Sequence, residues 1–214
     1  MVKKILIGLV ALVGVFVVVV AMQPADYRVE RSLAMAAPPD VVMAQIEDFK
    51  RWDAWSPWAK IDPNQKVTFG GPDKGKDATY AWSGNDEVGE GNMKITAVKP
   101  GERVDIDLNF IRPFPSSSTV DFVLKPEANG TLVTWGMNGK NDFMGKAFCL
   151  FVDMDKMLGN DFTKGLTQLK TAAEAEAAKA QAAPPPAAAP TPAEGAPAAA
   201  AEGAPAAEGA GAAK

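Results

Sequence analysis

The chain has 214 residues and a net charge of −4, with 22 Lys and Arg against 26 Asp and Glu. Its basic residues are scattered, which excludes the concentrated cationic face that nucleic-acid binding requires. Histidine is absent and Cys149 is the one cysteine. This excludes Ser-His-Asp and Cys-His catalysis, His/Cys zinc sites and an intrachain disulfide.

Lys3 and Lys4 precede an unbroken apolar run from Ile5 to Met22. About 18 such residues, as a helix, cross a hydrocarbon core of roughly 30 Å. The two lysines favour a cytoplasmic N-terminus. Residues 1–24 are therefore expected to form the transmembrane signal anchor of a single-pass cell-membrane protein, with the rest extracytoplasmic (periplasmic). The alternative is a cleaved signal peptide, for which Val19, Val20 and Ala21 supply a small-residue site. Both readings send the rest of the chain out of the cytoplasm.

Tyr27 to Leu33 alternates apolar and polar residues and predicts a strand. Pro38, Pro39 and Asp40 open a short helix through Val41, Val42, Ile46 and Phe49. Three of the five tryptophans then fall together at Trp52, Trp55 and Trp58. From Lys66 to Gly139 the period is two, interrupted by turn residues. Strands are predicted over 67–69, 78–83, 88–98, 103–110, 118–124 and 131–137, the last two joined by Asn129-Gly130. Val104, Ile106, Leu108 and Phe110 share one face of their strand, with Asp105 and Asp107 on the other.

Near Asn141 the period changes. Phe143, Met144, Ala147, Phe148, Phe151, Met154, Leu158, Phe162, Leu166 and Leu169 recur at spacings of three and four. This wide stripe needs a large apolar partner, and the inner face of the sheet is the one available. Gly159 and Gly165 are expected to break or bend the helical region. Cys149 sits in the apolar run Ala147-Phe148-Cys149-Leu150-Phe151 and reads as a buried, inert thiol. From about Ala180 the chain is almost wholly Ala, Pro, Gly and Glu, too poor in large apolar groups to offset ordering entropy. The expected organisation is an anchor over 1–24, one domain over 25–175, and an Ala/Pro-rich disordered tail over 176–214. The fold class is α+β, a curved antiparallel sheet wrapped around a long C-terminal helix.

Several segments carry a resemblance: Tyr27-Arg28-Val29-Glu30-Arg31-Ser32, Ala37-Pro38-Pro39, and the Trp-rich Trp52 to Trp58 stretch with Asp62-Pro63. Asn141-Asp142-Phe143-Met144-Gly145-Lys146, Asp153 to Met157 and Asp161-Phe162 add to it. Over about residues 26 to 170 the chain resembles bacterial membrane-anchored members of the START-like superfamily, also called the SRPBCC or polyketide cyclase/dehydrase family. The resemblance implies a helix-grip fold whose cavity, between sheet and long helix, takes hydrophobic molecules. Some members are enzymes and many are binders, and no family catalytic residue maps onto this chain.

Gly70-Gly71-Pro72-Asp73-Lys74-Gly75-Lys76-Asp77 is a near miss to a phosphate loop. Asp77 stands where a hydroxyl is needed and a strand follows where a helix is needed, so a hairpin loop accounts for it. Asp105 and Asp107 read as a solvated face. Asp153 and Asp155, two apart on a helix, do not face each other, and one of them is expected to tie helix to sheet through a basic residue. The Trp cluster reads either as a plug in the core or as the mouth of a cavity.

Candidate ligand-lining residues, from size, strand parity and helix stripe, are Trp55, Trp58, Tyr80, Trp82, Trp135, Phe151 and Met154. The partner expected is a hydrophobic or amphipathic small molecule or lipid, beside the membrane engaged through residues 5–22. No catalytic residue, metal or cofactor is expected. The alternatives are a cyclase- or dehydratase-like enzyme, which would need a buried ionisable group such as Asp155 or Tyr80, and a structural envelope protein with a filled core.

Overall fold

The computed structural model describes residues 1–182. The Ala/Pro-rich segment beyond them lies outside the described residues. Helix α1 spans Val2–Met22 and is long and apolar enough to cross a membrane. The elements that follow are β1 (Asp26–Met35), α2 (Pro39–Ile46), a 3-10 turn (Phe49–Ala54), β2 (Lys66–Gly70), β3 (Thr79–Ser83), β4 (Glu90–Lys99), β5 (Arg103–Arg112), β6 (Ser116–Glu127), β7 (Gly130–Lys140), α3 (Phe143–Cys149) and α4 (Met154–Ala182).

The strands form one seven-stranded sheet in the order β1-β7-β6-β5-β4-β3-β2, antiparallel throughout. Strands β2 to β7 follow one another as a meander. The first strand joins at the far side, against β7, and leaves β2 as the opposite edge. The register places Val104, Ile106 and Leu108 on the buried face, where they pack with Ile95, Val120, Phe122, Leu124, Val133 and Trp135. Asp107 on the same strand is exposed and Asp105 half-buried, so the predicted parity holds.

Helix α4 lies across the inner face with Phe162, Leu166, Leu169, Ala173 and Ala177 buried. It is a single helix through Gly159 and Gly165, contrary to the expected break. Both glycines are close-approach positions. A Cβ on Gly165 would lie 2.6 Å from the Trp135 ring and 3.0 Å from Pro57 Cδ, and one on Gly159 would meet the Arg31 guanidinium. The continuous stripe expected from Phe143 onward is divided, because Leu150 to Asp153 separate α3 from α4. Helix α4 also continues past residue 175 to Ala182, with Ala177 buried, so residues 176–182 are helical.

The expected tie between helix and sheet is Arg31 on β1. It reaches Asp155 with Nη1–Oδ1 at 3.0 Å and Nη2–Oδ2 at 2.9 Å, and Nη2 also donates to the Asp155 carbonyl at 2.9 Å. On the outer face, Asp121 is buried beneath basic side chains. Arg28 donates to it twice, at 2.9 and 3.2 Å, and Asn138 Nδ2 once at 3.3 Å. The Arg28 guanidinium is the main cause of the lowered pKa of Asp121 and outweighs the cost of burial.

Candidate functional site

The inner face of the sheet and α4 enclose an aromatic assembly. Trp135, projecting from β7, stacks on Phe162 of α4 at 4.4 Å between ring centroids, and on Phe122 of β6 at 5.0 Å. Trp55 and Trp58 meet Trp135 edge-on at 5.7 and 5.8 Å. Contacts then continue from Trp55 to Trp52 at 4.6 Å, Trp52 to Phe49 at 5.2 Å, Phe49 to Tyr80 at 5.8 Å, and Tyr80 to Phe69 at 5.6 Å. One chain of rings therefore leads from beneath α4 to the β2 edge of the sheet. Offset and edge-on geometries of this kind are the favoured ones for aromatic pairs.

Local folding explains who sits where. The carbonyls at the end of α2 lack helical partners, and two indoles take them up. Trp52 Nε1 donates to Ile46 O at 2.9 Å, and Trp55 Nε1 to Gln45 O at 3.1 Å. Satisfied donors let both residues sink into the core. Trp52 and Trp55 are thus core plug, whereas Trp58 is half-buried at the edge of the packed interior. Trp82 donates to Val88 O at 3.0 Å and meets Phe110 edge-on at 5.7 Å. Tyr80, Met93 and Phe110 are half-buried on the same inner face. Burial raises the Tyr80 phenol above its usual pKa, partly offset by the Gln65 side chain at 3.4 Å.

Trp135 differs from these indoles. Its Nε1 is buried and has no hydrogen-bond partner among the described residues. An unpaired buried donor costs about 1–3 kcal/mol. Phe122 and Phe162 stack on its ring, so this donor is enclosed in the packed interior.

Of the residues expected to line a cavity, Trp55, Trp58, Tyr80, Trp82 and Trp135 join the aromatic assembly. Met154 is half-buried at the start of α4. Phe151 is 80% exposed between α3 and α4, outside the interior. Met93 was not anticipated, although strand parity with Tyr80 would have found it, and Phe110 was expected on the inward face of β5 but not among the lining residues.

Asp155, one of two groups considered for acid–base work, is held below the usual carboxylate range by its hydrogen bonds to Arg31. That is the opposite of what a neutral general acid needs. The Gly-rich stretch at 70–77 is the turn between β2 and β3, with Gly71 and Gly75 at positive φ. A recess of about 140 Å³ opens beside it, lined by Phe49, Lys50, Phe69, Gly71, Pro72 and Thr79 among others. Small-molecule sites usually occupy about 300–1,000 Å³.

Residues 26–174 match the sequence profile of the family described as "Polyketide cyclase / dehydrase and lipid transport". A comparison with the curated proteins finds no match. Among solved structures, an uncharacterised protein from Rhizobium leguminosarum is similar at 11% identity and a TM-score of 0.52, covering 70% of this chain and 95% of that one. A protein from Chromobacterium violaceum is similar at 16% identity and a TM-score of 0.50, covering 71% and 99%. The Aha1 dimer from Colwellia psychrerythraea is similar at 16% identity and a TM-score of 0.50, covering 69% and 96%. At these identities the likeness is one of fold.

Proposed function

Because this chain belongs to the polyketide cyclase/dehydrase and lipid transport family, we propose that it binds a lipid-like amphipathic molecule on the inner face of the sheet, held at a membrane by α1 on the extracytoplasmic side. The observation that carries this reading is the apolar inner face that α4 leaves half-buried, where Tyr80, Met93 and Phe110 border the packed ring assembly. Such a face buries an acyl or ring system. Each Å² of apolar ligand surface removed from water is worth about 25 cal/mol before ordering costs. The ligand enters along the open side of the sheet over Tyr80, Trp82 and Met93, with Trp58 at its rim and Trp55 beneath. Met154, at the start of α4, lines the helix side.

The extracytoplasmic placement is supported by Lys3 and Lys4 before the apolar run of α1. A reporter active only outside the cytoplasm, fused after Lys214, is expected to be active. Activity of a cytoplasm-only reporter would overturn that side. Retention after carbonate washing separates an intact anchor from a cleaved one.

Native mass spectrometry of the full chain released from nanodiscs is expected to show a retained lipid mass. Trp emission should change as a fatty acid is added, and Trp58→Ala should weaken affinity more than it lowers Tm. A second reading, a structural domain whose interior is filled, is favoured by the Phe122–Trp135–Phe162 stack and the small recess. A chain that retains no lipid and gives no change in Trp emission establishes that reading.

A further inference from the structure

The most exposed apolar side chains of the domain, Phe114, Met144, Phe148 and Phe151, gather at one end. The sheet register pairs Asp26 with Lys140, Ser118 with Gly139 and Phe110 with Ser116. The start of β1, the end of β7 and the turn between β5 and β6 therefore share an end. The chain leaves α1 and enters α3 at that same end. It carries Phe114 at 80% exposure, Phe143 at 44%, Met144 at 72%, Phe148 at 51% and Phe151 at 80%. In α3 and the turn after it, positions 143, 144, 148 and 151 follow helical spacing, while Ala147 and Leu150 are half-buried. Soluble surfaces rarely leave such a cluster open without a partner.

Two features set the height of this end relative to a bilayer. Only Gln23, Pro24 and Ala25 separate α1 from β1, a span of at most about 14 Å. The last turn of α1 is also packed against the domain. Val20 is the only buried residue of α1, α3 meets α1, and Lys146 Nζ donates to Ala21 O at 3.4 Å. A helix of 21 residues is about 31 Å long and matches a hydrocarbon core of roughly 30 Å. Residues 20–22 then lie at the boundary between acyl chains and headgroups, and α3, seated on them, lies there too.

We propose that Phe114, Phe143, Met144, Phe148 and Phe151 insert into the interfacial layer of the membrane that α1 spans, so that the domain rests on lipid by this end. This rests on the membrane placement of α1 in the reading above. Apolar burial drives the contact, with charge a minor contributor. Lys140 and Lys146 lie beside the patch, but Asp26 and Asp142 do also, and Asp26 is 3.5 Å from Lys140.

The test uses the full chain with Cys149→Ser and single cysteines carrying an environment-sensitive fluorophore. Vesicles of phosphatidylcholine and phosphatidylglycerol, some with brominated acyl chains, supply the quencher. Labels at Met144→Cys, Phe151→Cys and Phe114→Cys are expected to shift to the blue and lose at least half their emission to brominated lipid. A label at Val13→Cys should be quenched as an internal standard for the anchor. One at Asn129→Cys, in the turn at the opposite end of the sheet, should not. The quenching should persist in high salt, because it reports apolar burial. A quenched Val13 label with unquenched labels at 144, 151 and 114 overturns the proposal and leaves the anchor standing. An unquenched Val13 label shows that the anchor reading has failed, and the proposal with it. Blue-shifted but unquenched patch labels assign the patch to a second copy or another protein, and equally overturn it.

Discussion

The two sides of the inner sheet face differ in how they are covered. Under α4, β6 and β7 present Phe122, Val133 and Trp135, all buried, with Phe122 and Trp135 in ring contact with the Trp-rich segment or α4. At the other side every residue of β2 is exposed, and Tyr80 and Met93 are half-buried although they are as apolar as their counterparts. Composition does not make this difference. Helix α4 crosses the sheet at the β1–β7 side, tied there by Arg31 and Asp155, and one helix is too narrow to cover seven strands. The covered side supplies stability. The uncovered side, where an apolar face is built and only half-buried, is the side to which the proposed ligand is assigned.

The comparison breaks first if the covered side is not the core. Ile106→Asp puts an unpaired charge at a position that is 1% exposed, at a cost of several kcal/mol by order of magnitude. Loss of the near-UV circular dichroism of the Trp assembly is expected. A folded Ile106→Asp chain would count against the assigned register.

Gly165→Ala sharpens the point at the tightest contact between α4 and β7. A helix gains about 1 kcal/mol from replacing Gly by Ala, but forcing a methyl against Trp135 and Pro57 costs about 1–3 kcal/mol. A net destabilisation of up to about 2 kcal/mol in urea titration is expected. A stabilised variant would mean that α4 stands further off the sheet.

Acid tests the outer face. The Asp121 pKa is lowered in the folded chain, mainly by the hydrogen bonds from Arg28, while an unfolded Asp titrates near 3.9. The unfolded state therefore binds its proton first as pH falls. The contribution of the pair is full above about pH 4 and is lost as pH drops through the lower folded value. Asp121→Asn should cost about 1–2 kcal/mol at pH 7, since charge-assisted hydrogen bonds are worth about 1.5–3 kcal/mol and Arg28 is partly solvent-screened. Between pH 5 and pH 2 it should lose less stability than the parent chain, as followed by thermal melts. Equal acid slopes would remove Asp121 from the account.

The smallest effect is expected on the uncovered side. Phe69→Ser, on the edge strand, should cost about 1 kcal/mol or less because little burial is lost. It should weaken fatty-acid binding measurably, read by Trp emission. A large loss of Tm would show that the β2 side is as much core as the β7 side.

Residue alternation alone determined all seven strands, the inward set on β5, and the change to helical period near Asn141, because side-chain period follows directly from strand and helix geometry. The lysine pair and the apolar run determined in the same way that α1 is fit to span a bilayer. The candidate site was half legible. Large aromatic residues on inward positions pointed to Trp135, Tyr80 and Trp82, but Phe151 falls on the helical stripe and yet lies outside, because the turn at Leu150 to Asp153 swings it off the sheet. Only the tertiary structure decided that β1 closes against β7, since pairing between distant strands leaves no local pattern. It alone distinguished buried Asp121 from Asp105, which share strand parity and differ in the arginine above them. It also decided that Gly159 and Gly165 are there for close approach. A glycine that ends a helix and one that admits an indole are the same residue in sequence, and only the neighbouring backbone tells them apart.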